Sequence, residues 1–352
     1  MDEFNLIHRY FQREISHASV VRGIGDDCAI VRVPVDHELA ISIDTQLEGR
    51  HFPKGAKACD IASRALRCAL SDLAAMGAQP LWFTLALTMP EANGDWLQGF
   101  SEGLFTTAST YDVHLIGGDT TRGPLSITIQ VHGSVPMGQS LCRDGAQVGD
   151  RVYVSGYLGD GATALKSILS NSVGGASTNV ESEDKADASY GGSYGDSYRT
   201  GYGISCDELN SYFHQQFYRP EPRLTLGVAL RGLATSAIDI SDGLLADLGH
   251  ICRHSDVGSL LSLESLPLSA QSLRFTDRDS LIEAALSGGD EYELCFTVPK
   301  AQESSLIGMQ YDFDFPLTCI GEIVAESGIR DGHSLQYISS KSSGYRHFYD
   351  KS

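Results

Sequence analysis

The sequence is short of positive charge. Against 45 acidic residues stand only 26 lysines and arginines, which leaves a formal net charge of −19. That deficit argues against non-specific binding to nucleic acid or to an anionic membrane, both of which want a basic face. It also makes an anionic substrate an awkward guest unless cations intervene. No uninterrupted apolar run approaches the roughly 20 residues of a membrane span. The acidic start, Met1-Asp2-Glu3-Phe4, has no signal-peptide core. Eight cysteines, at positions 28, 59, 68, 142, 206, 252, 295 and 319, never fall at C-x-x-C spacing. A disulfide or zinc framework is therefore not expected, and reduced thiols in a cytoplasmic protein are.

The common nucleotide signatures are missing too. Gly161-Ala162-Thr163-Ala164-Leu165-Lys166-Ser167 fails as a phosphate loop because Leu165 stands where glycine is required. There is no H-R-D or D-F-G set of a protein kinase. Gly23-Ile24-Gly25 resembles part of a dinucleotide fingerprint but precedes an expected strand instead of following one. No D-x-[DN]-x-[DN]-G loop points to a calcium-binding structural protein.

What the chain does have is a recurring pattern of apolar runs that end in glycines and aspartates. Leu115-Ile116-Gly117-Gly118-Asp119-Thr120 is the sharpest case. An apolar run of this length suits a buried strand, and paired glycines permit a tight turn, so Asp119 is expected at a strand exit, facing a cleft. Leu39 to Asp44, Ala237 to Gly243 with Asp239 and Asp242, Gly25-Asp26-Asp27 and Leu70-Ser71-Asp72 repeat the theme. These carboxylates are expected to converge.

Strand and helix patterns alternate along both halves. Strands are expected at 28–33, 39–44, 81–89, up to Asp119, 125–135, 151–155, 237–240, 260–266, 292–298 and 316–324. Helices are expected over 4–15, 57–76, 94–111, 160–170, 208–218, 224–234, 244–254 and 278–286. Gly145 to Gly149 reads as a boundary. The expectation is an α/β (α+β) protein of two domains, 1–145 and 146–352, each a sandwich of sheet and helices. The interval of about 171–206 is rich in Gly, Ser, Tyr and Asp and nearly devoid of aliphatics, so it is expected to be a mobile surface insertion.

Gathering Asp27, Asp44, Asp72, Asp119, Asp239 and Asp242 in one cleft would be costly. Like charges about 4 Å apart repel by roughly 4 kcal/mol per pair at an effective dielectric of 20. Hard cations relieve this, and oxygen-only ligands select Mg²⁺ or Ca²⁺ over zinc. Mg²⁺ takes few protein ligands and prefers phosphate oxygens as the rest, so the pattern suggests polyphosphate chemistry. Plainer readings stand beside this one. Asp27 and Asp44 suit exposed turns, Asp242 suits a cap for a helix starting at Leu244, His51 suits a loop, and Arg143 suits an ordinary surface.

Taken together, six blocks carry a resemblance. They are Gly23-Ile24-Gly25-Asp26-Asp27-Cys28-Ala29; Ile43-Asp44-Thr45 with His51-Phe52; Leu70-Ser71-Asp72 running on to Ala78; Ile116 to Thr121; Ala237 to Leu244; and Ser287-Gly288-Gly289 with Tyr292-Glu293-Leu294. In this order they resemble the thiamine-monophosphate kinase family, part of a superfamily with aminoimidazole-ribonucleotide synthetase, selenophosphate synthetase and a hydrogenase-maturation dehydratase. The likeness runs through nearly the whole chain apart from 171–206. It implies the aminoimidazole-ribonucleotide synthetase-like fold and a homodimer in which N-terminal strands of two subunits close a barrel. It implies several Mg²⁺ ions on Asp27, Asp44, Asp72, Asp119, Asp239 and Asp242, with oxygens from Ser42 and Ile43. It implies ATP contacts from Gly118, Asp119, Arg143 and Ser241, and thiamine monophosphate contacts from His51, Asp290 and Tyr345. The family often has threonine at the position of Ile43, where only a backbone carbonyl remains. It usually reads Gly-Gly-Glu-Asp where this chain reads Gly288-Gly289-Asp290-Glu291, so Glu291 stands as the alternative to Asp290.

The implied reaction is direct in-line transfer of the ATP γ-phosphoryl group to thiamine monophosphate, giving thiamine diphosphate, with Asp44 and Asp119 central to catalysis. Two alternatives remain: another ATP-using enzyme of the superfamily, and a Mg²⁺-nucleotide-binding module without turnover. A selenophosphate synthetase would want a reactive cysteine in an N-terminal segment, and no cysteine precedes Cys28.

Overall fold

The computed structural model describes residues 2–15, 17–174 and 206–338. Tyr345 and nearly all of the 171–206 interval lie outside these residues. The chain opens with α1 (Glu3–Leu6), a further helical turn over Ile7–Phe11, and the hairpin β1 (Val20–Arg22) and β2 (Ile30–Val31). It continues through β3 (His37–Leu47), α2 (Ala58–Ala75), β4 (Gln79–Met89), α3 (Gly94–Thr110), β5 (His114–Arg122) and β6 (Ser126–Pro136). These four strands form one sheet in the order β3-β6-β4-β5, antiparallel except for the β4/β5 pair.

Period-two alternation builds this sheet. Along β6, Ile127, Ile129 and Val131 are buried while the residues between them are half-exposed. The buried set points at α2 and α3, whose Leu66, Leu70, Leu73, Phe100 and Leu104 complete the first core. Burying each such side chain stabilises the fold by about 1.5–3 kcal/mol. The hairpin β1/β2 covers part of the other face, over Trp82 and Ile116.

The second half runs through β7 (Arg151–Ser155), α4 (Asp160–Gly174), α5 (Cys206–Tyr218), α6 (Leu224–Ala229), β8 (Ser236–Asp239), α7 (Leu244–His254) and β9 (Gly258–Leu261). It ends with α8 (Ser272–Phe275), α9 (Arg278–Ser287), β10 (Leu294–Val298), α10 (Glu303–Met309), β11 (Leu317–Val324) and β12 (Gly328–Asp331). Its six strands lie in the order β12-β9-β11-β7-β10-β8, with only β12/β9 parallel. α7 and α9 cover one face, and α6 and α10 the other, where Ala74 and Ala75 of α2 join them. α4 and α5 do not pack with their own sheet. Ala164, Phe213 and Phe217 are buried in the core of the first half.

Several expectations shift. The two glycines do not end β5, which runs on through Gly117, Gly118 and Asp119 to Arg122. An added Cβ at Gly118 would sit 1.9 Å from the Leu85 carbonyl oxygen, so glycine there serves close approach to β4 rather than a turn. The expected first helix breaks after Phe11, the helix from Leu224 stops at Ala229, and the strand into Leu266 stops at Leu261.

Candidate active site

Strand alternation decides where the acids point. Ser42, Asp44 and Gln46 of β3 lie in register with Val131, Ile129 and Ile127 of β6, the row that faces α2. Ile41, Ile43 and Thr45 face the opposite side, and Ile43 is 63% exposed. On the α2 side the Ser42 hydroxyl donates to Asp72 Oδ2 at 2.5 Å. One residue earlier on α2, the Ser71 hydroxyl donates to Asp239 Oδ2 at 2.9 Å, at the end of β8. Asp44, Asp72 and Asp239 thus come from β3, α2 and β8 into one electrostatic group.

That group is under-neutralised. Burial raises the Asp44 carboxyl above its usual range. Burial raises Asp72 as well, with Asp44 adding to it. Asp239, fully buried and facing Asp72 and Asp247, is pushed up to about 8. Arg143 pulls the other way on both Asp72 and Asp239. Asp44, Asp72 and Asp239, with the Ser42 hydroxyl, offer a cation only oxygens, the chemistry of a hard ion.

Two glycine-plus-acid turns form the far wall. Asp247 Oδ2 accepts the backbone N–H groups of Ser241, Asp242 and Gly243, each at 3.1 Å. Asp247 therefore organises the turn before α7. Asp242 does not cap that helix: Gly243 is its N-cap residue. The Asp247 carboxyl still rises to about 7, because burial and the nearby Asp242 outweigh its three hydrogen bonds. The second turn is zipped to the first: Asp290 N–H donates to the Ser241 carbonyl at 2.9 Å and Tyr292 N–H to that of Ile240 at 2.8 Å. Gly289 adopts φ +69°, and an added Cβ would meet the Ser241 carbonyl oxygen at 2.5 Å.

The next two acids part company. Asp290 Oδ1 pairs with Arg64 Nη2 at 2.5 Å. Glu291 turns inward, where it is 8% exposed and accepts the Gly159 and Gly161 N–H groups at 2.8 and 3.2 Å. Glu291 is thus committed to the α4 end, and Asp290 is the acid left facing the site. His51 connects to the same corner, since its carbonyl accepts Arg64 Nε at 3.2 Å and its Nδ1 accepts the Leu47 N–H at 3.0 Å.

Asp27 and Asp119 lie elsewhere. Asp119 is in register with Ala86, Thr128 and Thr45, on the face of the sheet away from α2. With Asp27, Gly118, Phe4 and Phe11 it lines a cavity of about 930 Å³. The six aspartates therefore fall into two groups on opposite faces of the first sheet. Among the described residues, no three His, Cys, Asp or Glu side chains are spaced to hold one ion between them.

Residues 25–135 match the family described as AIR synthase related protein, N-terminal domain. The thiamine-monophosphate kinase of Escherichia coli strain K12 is 44% identical over 351 residues, covering 98% of this chain and 98% of its own. This chain belongs to the thiamine-monophosphate kinase family. The crystal structure of thiamine-monophosphate kinase from Stenotrophomonas maltophilia K279a superposes with a TM-score of 0.79 at 41% identity, covering 93% of this chain and 95% of that one. AaThiL, solved complexed with AMPPCP and TMP, superposes with a TM-score of 0.72 over 90% of this chain and 89% of its own. At 24% identity that likeness speaks for the fold alone.

In this member of the thiamine-monophosphate kinase family, three site residues escape a reading of the sequence. Ser71 and Asp247 support Asp239 and the 241–243 turn, and Arg64 supports Asp290. Asp247 stands five residues beyond Asp242 and looks like a solvent-facing helix acid. Arg64 offers a fainter signal: Ile61-Ala62-Ser63-Arg64-Ala65-Leu66 leaves a long cation among small and apolar neighbours.

Proposed function

We propose that this protein transfers the γ-phosphoryl group of ATP directly to the phosphate of thiamine monophosphate, giving thiamine diphosphate. The observation that carries the reading is the 44% identity, over 98% of both chains, to a thiamine-monophosphate kinase. The nucleophile is a phosphate oxygen, already anionic near neutral pH, so no strong general base is needed. The reaction instead needs two anions aligned and their repulsion relieved.

The acid group supports Mg²⁺ as the agent. Burial raises the proton affinity of Asp44, Asp72 and Asp239, with Asp44 adding to it at Asp72 and Asp72 at Asp239, and the atoms they offer a cation are all oxygens. We assign Asp27, Asp44, Asp72, Asp119, Asp239 and Asp242, with Ser42 and the Ile43 carbonyl, to Mg²⁺. When bound, the ions neutralise charge on the transferred group and on both phosphates. The chain's own residues supply the rest. Gly118, Asp119, Arg143 and Ser241 hold ATP, and the cavity beside Gly118 and Asp119 has the size of a small-molecule site. His51 and Asp290, with Tyr345 beyond the described residues, hold thiamine monophosphate. The name of the 44%-identical Escherichia coli relative, thiamine-monophosphate kinase, supports thiamine monophosphate as the acceptor.

We further propose a homodimer and a cytoplasmic setting. Ile41 and Ile43 are 53% and 63% exposed on the face of the first sheet away from α2, an apolar surface suited to a second copy. No helix among the described residues is long and apolar enough to cross a membrane. One assay tests the reaction: ATP consumption and product formation with thiamine monophosphate, with free thiamine, and with neither. Product only from the monophosphate is expected. ATP consumption without it, or none at all, points to another superfamily activity or to a non-catalytic module.

A further inference from the structure

Arg64 lies in the middle of α2 and is 1% exposed. Its guanidinium reaches three segments far apart in sequence. Nε donates to the His51 carbonyl at 3.2 Å, Nη1 to the Phe217 carbonyl at 2.6 Å, and Nη2 to Asp290 Oδ1 at 2.5 Å. The Phe217 ring lies 4.0 Å from the guanidinium carbon, and the Tyr292 hydroxyl donates to the same Asp290 oxygen at 3.1 Å. A buried cation is costly unless paired and hydrogen-bonded, and here both conditions are met. The three bonds start from three separate nitrogens of a planar fork; the three N–H groups of a lysine ammonium all start from one atom and do not span the same acceptors.

We propose that Arg64 is a positioning residue for the acceptor side of the reaction. It fixes the turn that carries His51 and the carboxylate of Asp290 in the arrangement that receives thiamine monophosphate. The inference rests on the reaction assigned above. Burial keeps Arg64 itself off the substrate, so it acts through the two groups it holds. Of the residues assigned to the nucleotide, Gly118 and Asp119 belong to β5, three places from β3 in the order of the first sheet, and Ser241 meets the Asp290 turn through its backbone carbonyl, which accepts the Asp290 N–H and takes no bond from Arg64. A defect at Arg64 therefore falls first on the acceptor residues.

The full chain with Arg64→Lys is compared with wild type in steady-state assays varying each substrate. Loss of two of the three bonds, with Asp290 less firmly held, is expected to raise the KM for thiamine monophosphate by about 10-fold or more. The KM for ATP is expected to stay within about twofold, the split that marks a loss of acceptor binding alone. Phe217→Leu keeps the carbonyl but removes the ring beneath the guanidinium, and gives a smaller shift in the same direction should Arg64→Lys not fold. Calorimetric binding of thiamine monophosphate to both proteins reads the same contrast without turnover. Equal rises in both KM values, or a lowered Tm with unchanged acceptor binding in both variants, overturn the role of Arg64. A wild type that binds thiamine monophosphate, loses that binding in Arg64→Lys, and makes no product overturns the reaction alone.

Discussion

The Ser42 hydroxyl donates a hydrogen bond to Asp72 Oδ2, 30 residues away in sequence, at 2.5 Å. That bond ties β3 to α2 at the point where Asp44 and Asp239 also arrive. A helix acid and a strand hydroxyl are thereby locked in one geometry before any ligand binds, the kind of preorganisation phosphoryl transfer depends on.

Asp44→Asn and Asp119→Asn are each expected to lower kcat by at least ~10²-fold, the scale of lost electrostatic stabilisation. The two act from opposite faces of the sheet, so each is tested alone, at saturating Mg²⁺ and both substrates. Near-normal turnover by either variant refutes its catalytic assignment.

Asp239 sets a pH dependence. Its carboxyl titrates near 8 in the folded chain and near 3.8 when unfolded, so the folded state holds the proton more tightly. Asp239's contribution to the stability of the metal-free protein is therefore full below about pH 4 and is lost as pH rises through about 8. Asp247, titrating near 7, adds to the loss in the same window. Mg²⁺ is expected to raise Tm more at pH 8.5 than at pH 6, and Asp239→Asn to weaken both the pH trend and the Mg²⁺ response. A wild-type Tm that is independent of Mg²⁺ at both pH values removes Asp239 from the metal site.

Asp290 and Glu291 are adjacent yet face different environments, and the KM of their variants tells which of them meets the acceptor. Asp290→Asn is expected to raise the KM for thiamine monophosphate and also to lower Tm, because it leaves the buried Arg64 guanidinium without its carboxylate. Glu291→Gln weakens the acceptor of two buried N–H groups and is expected to cost about 1–3 kcal/mol of stability with KM unchanged. Thermal melts beside steady-state kinetics check both; a KM effect confined to Glu291→Gln reverses the assignment.

The exposed Ile41 and Ile43 predict the assembly. An Ile41→Glu, Ile43→Glu double variant buries charge in the proposed contact and is expected to sediment as a monomer where wild type sediments as a dimer. A monomeric wild type at micromolar concentration sinks the assembly.

Much of this arrangement is legible in the sequence, for physical reasons. Alternation in Leu125 to Val135 and the stripe in Lys57 to Met76 mark β6 and α2 to within one or two residues, because one buried face imposes one period. β5 is misread at Gly117-Gly118 because the need is set by Leu85 on the neighbouring strand, which no local pattern reveals. β12 goes unseen because all four of its residues are half-exposed, so it has no apolar period. Asp44, Asp72 and Asp239 can be picked out singly as acids beside apolar runs. Their division from Asp27 and Asp119 depends on which face of a sheet each strand position takes. The partners that steady them, Ser71, Asp247 and Arg64, depend on how helices dock, which a helix does not encode in its own periodicity.

α4 and α5 follow the boundary at 145 in sequence but fill the core of the first half with Ala164, Phe213 and Phe217. A polypeptide cut at that boundary would remove Ala164, Phe213 and Phe217 from the core that holds Leu66 and Leu70, and the remainder would expose those apolar side chains of α4 and α5. Each half therefore relies on the other to complete its packing. Whatever changes accumulate in one half must be tolerated by side chains lent from the other.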